Sequence, residues 1–219
     1  MRLCCSLTRD SLVSMPRIRA STIDEHKALT RSSLLAAARS LIEEQETAEI
    51  PLGEVALAAG VGRTTFYEYF TDRDDVIAAL VEEELPVILE ALIASVSTEM
   101  SVVDRLATLA TRTVEFVATD RVFGVILHRE AGRLGADAQA RIREAHAQLS
   151  AEMTGLYLAG VRSGTFREMP PAVAGRLIQD TIMSGARLLI SGSGGVDEVV
   201  GHTQRFLLGG LGHVPLTTP

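Results

Sequence analysis

Residues 52–70 read LGEVALAAGVGRTTFYEYF, two short helical patterns on either side of a turn that contains glycine. The stretch from Leu52 to Ala59 predicts one short helix, and the GVG sequence after it predicts where that helix ends. The stretch from Arg63 to Phe70 predicts a second helix, in which Phe66 and Phe70 lie four residues apart and so face the core together. Two short helices joined in this way form a helix-turn-helix, whose second helix can enter the major groove of DNA.

The same helical spacing assigns the other side chains of this motif to an inner and an outer face. Val55, Ala58 and Ala59 are predicted to face inward, Val61 to pack beneath the turn, and Gly60 to adopt the positive φ that the turn requires. The outer face of the second helix then carries hydrogen-bond donors suited to base edges and phosphates, namely Arg63, Thr64, Thr65, Tyr67 and Tyr69.

The segments on both sides of the motif also have helical patterns. Apolar residues from Leu34 to Ile42 recur at helical spacing and predict a helix over Ser32–Glu44. Thr71 is followed three residues later by Asp74, a capping-box pattern that predicts the start of another helix at Thr71. Pro86 is expected to kink or break that helix.

This N-terminal block resembles the DNA-binding signature of the tetracycline-repressor (TetR) family. Ala59-Gly60-Val61 matches the turn of that family, and Thr65, Tyr67 and Phe70 match its recognition helix. Arg73 stands where the family usually has a lysine. The resemblance covers about residues 30–80, and the rest of the chain is similar to the family only in length, helix count and all-α character. Two departures are Gly62 in place of the usual Ser or Thr cap and Tyr69 in place of a frequent histidine.

The resemblance implies roles for particular side chains. Arg63, Thr64 and Thr65 would read bases, whereas Tyr67, Tyr69 and Arg73 would bind phosphates. Four cations precede the predicted first helix and can form a basic arm on DNA: Arg17, Arg19, Lys27 and Arg31. The alternatives are solvated surface charges for the cations and ordinary core packing for the two tyrosines.

The remainder of the chain predicts five more helices. They cover about Val102–Ala118, Val122–Ala131, Ala136–Arg162, Pro170–Ile190 and Val196–Leu211. The predicted fold is therefore all-α with about nine helices: a homeodomain-like helix-turn-helix domain followed by a helical effector-binding and dimerisation domain. The predicted boundaries are a flexible tail that can form the basic arm (residues 1–28), the DNA-binding domain (29–85) and the C-terminal domain (86–219).

The last two predicted helices are apolar on more than one side, which indicates burial on several sides. The family resemblance implies that they form a four-helix interface in a homodimer, and the residues expected there are Leu177, Ile182, Leu189, Val200, Phe206 and Leu207. The alternative is that both helices only complete the core of one protomer.

The central helices carry adaptable apolar side chains that can enclose a ligand. The candidate pocket residues are Phe116, Phe123, Met153, Tyr157 and Met183, with His128 as a polar anchor. For each apolar residue, plain core packing is the alternative. For His128, with Arg129 and Glu130 beside it, the alternative is a solvated or paired cluster.

Composition excludes several classes of protein. Hydrophobic residues make up 47% and charged residues 22%, which is unlike a disordered chain. Cys4 and Cys5 are adjacent and have no other cysteine to pair with, so neither a disulfide framework nor a cysteine zinc site is expected. No apolar run reaches the length of a membrane span, and a cytoplasmic protein without membrane, metal or cofactor is expected. Met15 is a plausible alternative start, which would place residues 1–14 outside the native protein.

Together these patterns predict a one-component transcriptional regulator. We expect a homodimer that binds a palindromic operator in double-stranded DNA and represses, with a small-molecule effector that relieves binding. An activator or a regulator without a ligand would use the same residues. The rival from another class is an all-α metal-dependent or ligand-transforming enzyme, but the chain has no HExxH, GxSxG or GxxxxGK motif.

Overall fold

A computed structural model describes residues 20–212 of the chain. This part is entirely helical, which confirms the predicted fold class, and none of its helices is both long and apolar enough to cross a membrane. Ten α-helices and one π-helical turn make it up: α1 Ala20–Gln45, α2 Leu52–Ala58, α3 Arg63–Phe66, α4 Arg73–Ala94, α5 Val102–Thr119, α6 Arg121–Val125, the π turn Ile126–Glu130, α7 Ala136–Ala145, α8 Ala147–Arg162, α9 Pro171–Ile190 and α10 Val196–Gly210. The predictions for Cys4, Cys5, Arg17, Arg19 and residues 1–14 lie outside the described residues.

The first helix begins twelve residues earlier than predicted, at Ala20 rather than Ser32. Lys27 and Arg31 therefore lie inside α1, and the prediction that they precede the first helix is wrong. The added turns have no buried apolar face, because Ile23 and Leu29 are both exposed. Hydrophobic periodicity consequently carries no signal for this part of the helix.

The fourth helix starts one residue later than a Thr71 cap predicts and is not broken at Pro86. Its N-cap is Asp72, whose carboxylate accepts the Asp75 N–H at 2.9 Å. The helix continues through Pro86 to Ala94, so the predicted boundary between residues 85 and 86 falls inside a continuous helix. Leu85 and Leu89 are fully buried on either side of the proline, and this packing offsets the backbone hydrogen bond that proline removes.

The single helix predicted over Ala136–Arg162 is two helices, α7 and α8, separated at His146. The imidazole Nδ1 lies 2.7 Å from the Ile142 carbonyl, and the His146 N–H bonds the Arg143 carbonyl three residues back. The side chain thus uses the carbonyl that a continuous helix would give to the backbone. This break raises the helix count from about nine to ten.

Helix α4 links the two parts of the fold. It packs against α1 on the N-terminal side and against α7, α8 and α5 on the C-terminal side. Arg39 of α1 adds a second link, because its guanidinium bonds both Glu84 of α4 at 2.6 Å and Asp120, the N-cap of α6, at 2.7 Å.

Tyr157, predicted to line a pocket, instead holds the chain that follows α8. Its ring is fully buried and stacks on Phe166, and its hydroxyl lies 3.1 Å from the Arg167 and Met169 carbonyls. The same oxygen accepts the Met169 N–H at 2.9 Å. The side chain therefore serves the stability of the C-terminal domain.

Replacing Tyr157 with phenylalanine is expected to lower the free energy of unfolding by about 1–2 kcal/mol, because the Met169 N–H and a carbonyl, both in a partly buried environment, lose the hydroxyl as their partner. Urea unfolding followed by circular dichroism at a fixed protein concentration measures the change. Tyr67→Phe, at an exposed tyrosine, is the matched control and should change stability by less than about 0.5 kcal/mol. Equal effects of the two substitutions would contradict the assignment.

Candidate nucleic-acid interface and internal cavity

The inner side of the helix-turn-helix packs much as its sequence pattern predicts. Phe66 and Phe70 are buried with ring centroids 5.8 Å apart, and Gly60 has φ +70°. On α2 the buried neighbour of Val55 is Ala56, whereas Ala58 is exposed, so the inward assignment of Ala58 is wrong. The buried side of α2 therefore runs through Val55, Ala56 and the partly buried Ala59, with Ala56 in the place predicted for Ala58.

The recognition helix is shorter than predicted. Only Arg63–Phe66 is α-helical, and the chain then tightens, with the Glu68 and Tyr69 N–H groups bonding the carbonyls three residues back at 3.1 and 3.0 Å. This tighter turn still brings Phe70 into the core beside Phe66. A 3₁₀-type last turn of this kind is common at helix ends.

The outward face of α3 brings several of the predicted DNA contacts together. Arg63, Thr64 and Tyr67 are exposed, and Thr65 and Tyr69 are partly buried. The Arg63 guanidinium lies over the Tyr67 ring at 5.9 Å from its centroid, with Nη2 3.5 Å from the hydroxyl. The cation and the phenol therefore form a single patch, the Arg63–Tyr67 patch.

The charge balance around this patch is strongly acidic. Residues 29–85 contain 12 Asp and Glu residues and four arginines. Three of these arginines pair with carboxylates: Arg31 with Glu83, Arg39 with Glu84 and Asp120, and Arg73 with Glu49 and Asp74. Among the described residues, Arg63 has no carboxylate partner, so it is the guanidinium of this domain that remains available to DNA.

Two cations that the family resemblance assigns to DNA are thus engaged within the protein. Arg73 lies between Glu49 and Asp74, and its side chain is only 24% exposed. Arg31 pairs with Glu83 and lies over the Phe70 ring, 5.5 Å from its centroid. A phosphate would have to compete with these carboxylates for either guanidinium.

Helix α7 is tied to the start of α4, directly after the recognition helix. Arg141 bonds Asp75 at 2.7 Å and Glu82 at 2.6 and 2.8 Å, and the Gly135 N–H donates to Asp74 at 2.8 Å. Burial alone would raise the pKa of Asp75, but the Thr71 N–H and Arg141 together lower it. The hydrogen bonds from Arg141 also lower the pKa of Glu82. Sequence reasoning missed this cluster, because it joins residues far apart in the chain.

The C-terminal domain encloses an apolar cavity of about 40 Å³ between α4, α5, α8 and α9. Phe116, Met153 and Met183 line it, as predicted for the pocket, whereas Phe123, His128 and Tyr157 do not. The other lining residues were not predicted: Leu85, Leu89, Thr113, Val117, Leu127, His146, Leu149, Ser150, Gly175, Gln179 and Ile182. No Asp, Glu, Lys or Arg belongs to this lining.

His128 and Phe123 lie beside the cavity rather than on its wall. Phe123 is buried, and its ring centroid lies 5.6 Å from that of Phe116. The Arg39 guanidinium lies over the Phe123 ring, 5.5 Å from its centroid. His128 belongs to the π turn, where both ring nitrogens are buried without partners among the described residues. Burial, helped by nearby Arg187, lowers its pKa to about 4, so the imidazole is neutral rather than part of a solvated cluster.

The outer face of α9 and α10 forms a groove in which exposed apolar side chains lie among polar ones, including Asp180 and Arg205. Leu177 and Phe206, two of the predicted interface residues, are 51% and 74% exposed, and unpredicted Leu188 is also exposed beside them. The other four lie elsewhere: Leu189 and Val200 are partly buried, and Ile182 and Leu207 are buried in the core of the protomer.

Two family models match separate parts of the chain. Residues 34–80 match the model described as bacterial regulatory proteins of the tetR family. Residues 99–187 match the model of the tetracyclin repressor-like C-terminal domain. Together they cover more than half of the chain, and each falls in one of the two parts that α4 joins.

Individual relatives are distant but share the fold. The fatty acid metabolism regulator protein of Bacillus subtilis (strain 168) is 21% identical over 135 residues, 62% of this chain and 70% of that protein. The crystal structure of FadR from Bacillus subtilis in complex with stearoyl-CoA is similar with a TM-score of 0.69 and 19% identity, covering 82% of this chain and 98% of that one. The structure of RolR with resorcinol is similar with a TM-score of 0.68 and 19% identity, covering 87% and 91%. The chain belongs to the tetR family of bacterial regulatory proteins, and it is a dimeric DNA-binding repressor whose operator binding is relieved by a small molecule.

Proposed function

We propose that the Arg63–Tyr67 patch is the centre of operator recognition. Arg63 projects from the first turn of α3, the part of a recognition helix that contacts base edges. In this proposal Arg63, Thr64 and Thr65 read bases, and Tyr67 and Tyr69 donate to phosphates. The observation that carries the proposal is the free guanidinium of Arg63 in a domain whose other arginines are paired.

The paired arginines receive a different role. Arg31 and Arg73 hold α1, α4 and the segment before α2 together, and they contribute less to phosphate binding than their place in the family pattern implies. We propose that further phosphate contacts come from residues 1–28, which carry five Lys and Arg residues against three acids. Lys27 lies on the exposed start of α1, and Arg17 and Arg19 precede it in the sequence.

The groove on α9 and α10 is our proposed dimer interface. A second copy of the same groove would cover Leu177, Leu188 and Phe206, because a two-fold interface brings identical surfaces together. Two recognition helices can then reach successive major grooves of a palindromic operator, about 34–36 Å apart.

The apolar cavity is our proposed effector site. Helix α7 is the element that we propose transmits ligand binding to the DNA-binding domain. His146 at the end of α7 lines the cavity, and Arg141 of the same helix forms hydrogen-bonded ion pairs with Asp75 and Glu82 on α4. A ligand that displaces α7 would therefore move the N-terminal end of α4 and the recognition helix that precedes it. Such coupling is reciprocal, so the operator should weaken effector binding by the same factor.

Replacing Arg141 with glutamine tests the α7–α4 link through its pH dependence. Arg141 lowers the pKa of Asp75 and Glu82, so its contribution to stability is complete above their unfolded values near pH 4 and is lost as pH falls through the lower folded values. We expect a loss of about 1 kcal/mol at pH 7 that becomes smaller as the pH falls below about 4. Thermal unfolding between pH 3 and 7 measures it, and Arg176→Gln, at an exposed pair within α9, is the control. A pH-independent difference would contradict the assignment.

The experiment that tests the whole proposal is selection of bound fragments from the organism's own DNA by the purified chain, with and without candidate ligands. We expect a palindromic site, salt-dependent affinity and release by a ligand. Failure to retain any duplex would refute the proposal, and turnover with a bound metal would favour the rival enzyme.

We propose that the protein has no catalytic role and acts in the cytoplasm, where chromosomal DNA is read.

A further inference from the structure

The lining of the cavity restricts the charge of its ligand. Its fourteen residues include neither a cation nor a carboxylate, and the polar ones are Thr113, His146, Ser150 and Gln179. A carboxylate or phosphate placed inside would lose its hydration without gaining an ion pair, which is costly. An uncharged ligand avoids this cost.

His146 lines the cavity and has one ring nitrogen that no described residue uses as a hydrogen-bond acceptor. Its Nδ1 faces the Ile142 carbonyl at 2.7 Å and must carry the proton, since a carbonyl only accepts. Burial lowers the pKa of His146, so the ring is neutral and Nε2 keeps its lone pair. No described residue bonds Nε2, which leaves this nitrogen for a donor on the ligand.

The other polar groups of the lining are less suited to bind a donor deep in the cavity. The Thr113 hydroxyl already donates to the Leu109 carbonyl at 2.8 Å. Ser150 and Gln179 are exposed and lie where the cavity opens between α8 and α9. Thr113 therefore remains as the one competing buried acceptor, through its free lone pair.

The size of the cavity favours a small ligand. Its volume of about 40 Å³ is well below the roughly 300–1,000 Å³ of sites for drug-sized molecules. Met153 and Met183 lie on the wall, and their flexible side chains can yield to a ligand of modest size. A long acyl chain would require the surrounding helices to separate.

We propose that the effector is a small, uncharged, mostly apolar molecule with a hydroxyl group, and that this hydroxyl donates a hydrogen bond to Nε2 of His146. The proposal rests on the proposed function of the cavity and adds the chemical class of its ligand. A phenol and an aliphatic alcohol share the required chemistry, and the two are separated by experiment.

Calorimetric titration of the intact dimer with matched probes tests the ligand class. The aromatic set is 4-ethylphenol, 4-ethylanisole and 4-ethylbenzoate, and the aliphatic set is 1-hexanol and hexanoate. We expect one of two results. Either 4-ethylphenol binds about 10-fold more tightly than 4-ethylanisole and 4-ethylbenzoate, or 1-hexanol binds about 10-fold more tightly than hexanoate. Equal binding of the phenol and the ether, or tighter binding of a carboxylate, would overturn the proposal.

Two substitutions test the acceptor. His146→Phe should reduce affinity for the hydroxyl probe about 10-fold and leave affinity for the ether within about 3-fold. Thr113→Val removes the competing acceptor at nearly constant shape and should preserve the preference for the hydroxyl probe. Loss of the preference in Thr113→Val, with its retention in His146→Phe, would assign the acceptor to Thr113 instead.

Histidine-selective ¹⁵N NMR of the unsubstituted protein gives a readout that does not depend on how His146→Phe folds. The His146 ring should be the Nδ1–H tautomer, and the hydroxyl probe should shift its Nε2 resonance more than the ether does. An unchanged Nε2 resonance at saturation would overturn the assignment.

The two proposals can fail separately. If the protein binds its operator but none of the hydroxyl probes, the ligand class is wrong and the proposed regulatory function stands. If a probe binds through His146 without changing operator affinity, the ligand class stands and the proposed coupling fails.

Discussion

Substituting alanine for Arg63 is expected to weaken operator binding by the dimer by about 2–6 kcal/mol, because each recognition helix loses about 1–3 kcal/mol. The reason lies in the charge balance of the domain. Its three other arginines are bonded to carboxylates, so among the described residues of this domain no other unpaired guanidinium can take over from Arg63. The loss should be largest for the selected operator and small for unrelated duplexes, since base contacts specify sequence.

Fluorescence anisotropy of a labelled operator at several salt concentrations measures this loss. Arg162→Ala is the matched control, because it removes an exposed positive charge from the C-terminal domain and should leave affinity nearly unchanged. Tyr67→Ala separates the two members of the patch, since a lost phosphate contact weakens binding to all duplexes alike. Unchanged affinity in both Arg63→Ala and Tyr67→Ala would place the DNA interface elsewhere.

The helix-turn-helix could be predicted because its determinants are local. Phe66 and Phe70 lie one helical turn apart, and Gly60 adopts the positive φ that the turn needs. Both features can be recognised within 19 residues of sequence. The misplaced Ala58 and the short α3 concern helix ends, where side-chain patterns are least informative.

The electrostatic character of the site could not be predicted in the same way. Arg73 pairs with Glu49, 24 positions earlier, and Arg141 pairs with Asp75, 66 positions earlier. Only the packing of α1, α4 and α7 brings these groups together. A cation on a predicted binding face is therefore indistinguishable in sequence from one that neutralises a neighbouring helix.

The apolar residues that line the cavity could likewise be predicted only in part from the sequence. Phe116 and Phe123 have the same chemistry and touch each other, yet only Phe116 reaches the cavity wall. Periodicity identifies a buried face but does not distinguish a filled core from a lined space. His146 was missed for another reason: its bond to the Ile142 carbonyl, which also ends α7, depends on the side-chain conformation.

Phe206→Glu is expected to abolish the dimer, raising its dissociation constant about 1,000-fold or more. Phe206 is 74% exposed in the single protomer and lies in the groove with Leu177 and Leu188. A two-fold interface contains the substitution twice, so two large apolar contacts are lost and two carboxylates are placed in a surface that already carries Asp180. Sedimentation velocity over a range of concentrations measures the shift from dimer to monomer.

Val87→Glu is the matched control, because Val87 is a similarly exposed apolar residue on α4, outside the α9–α10 groove. It introduces the same charge and should leave the dimer intact. Operator binding should fail in Phe206→Glu although Arg63 and its surroundings are unchanged, because a monomer engages only one half-site and loses the contribution of the second recognition helix. A dimer that survives Phe206→Glu but dissociates in Val87→Glu would move the interface from α9 and α10 to α4.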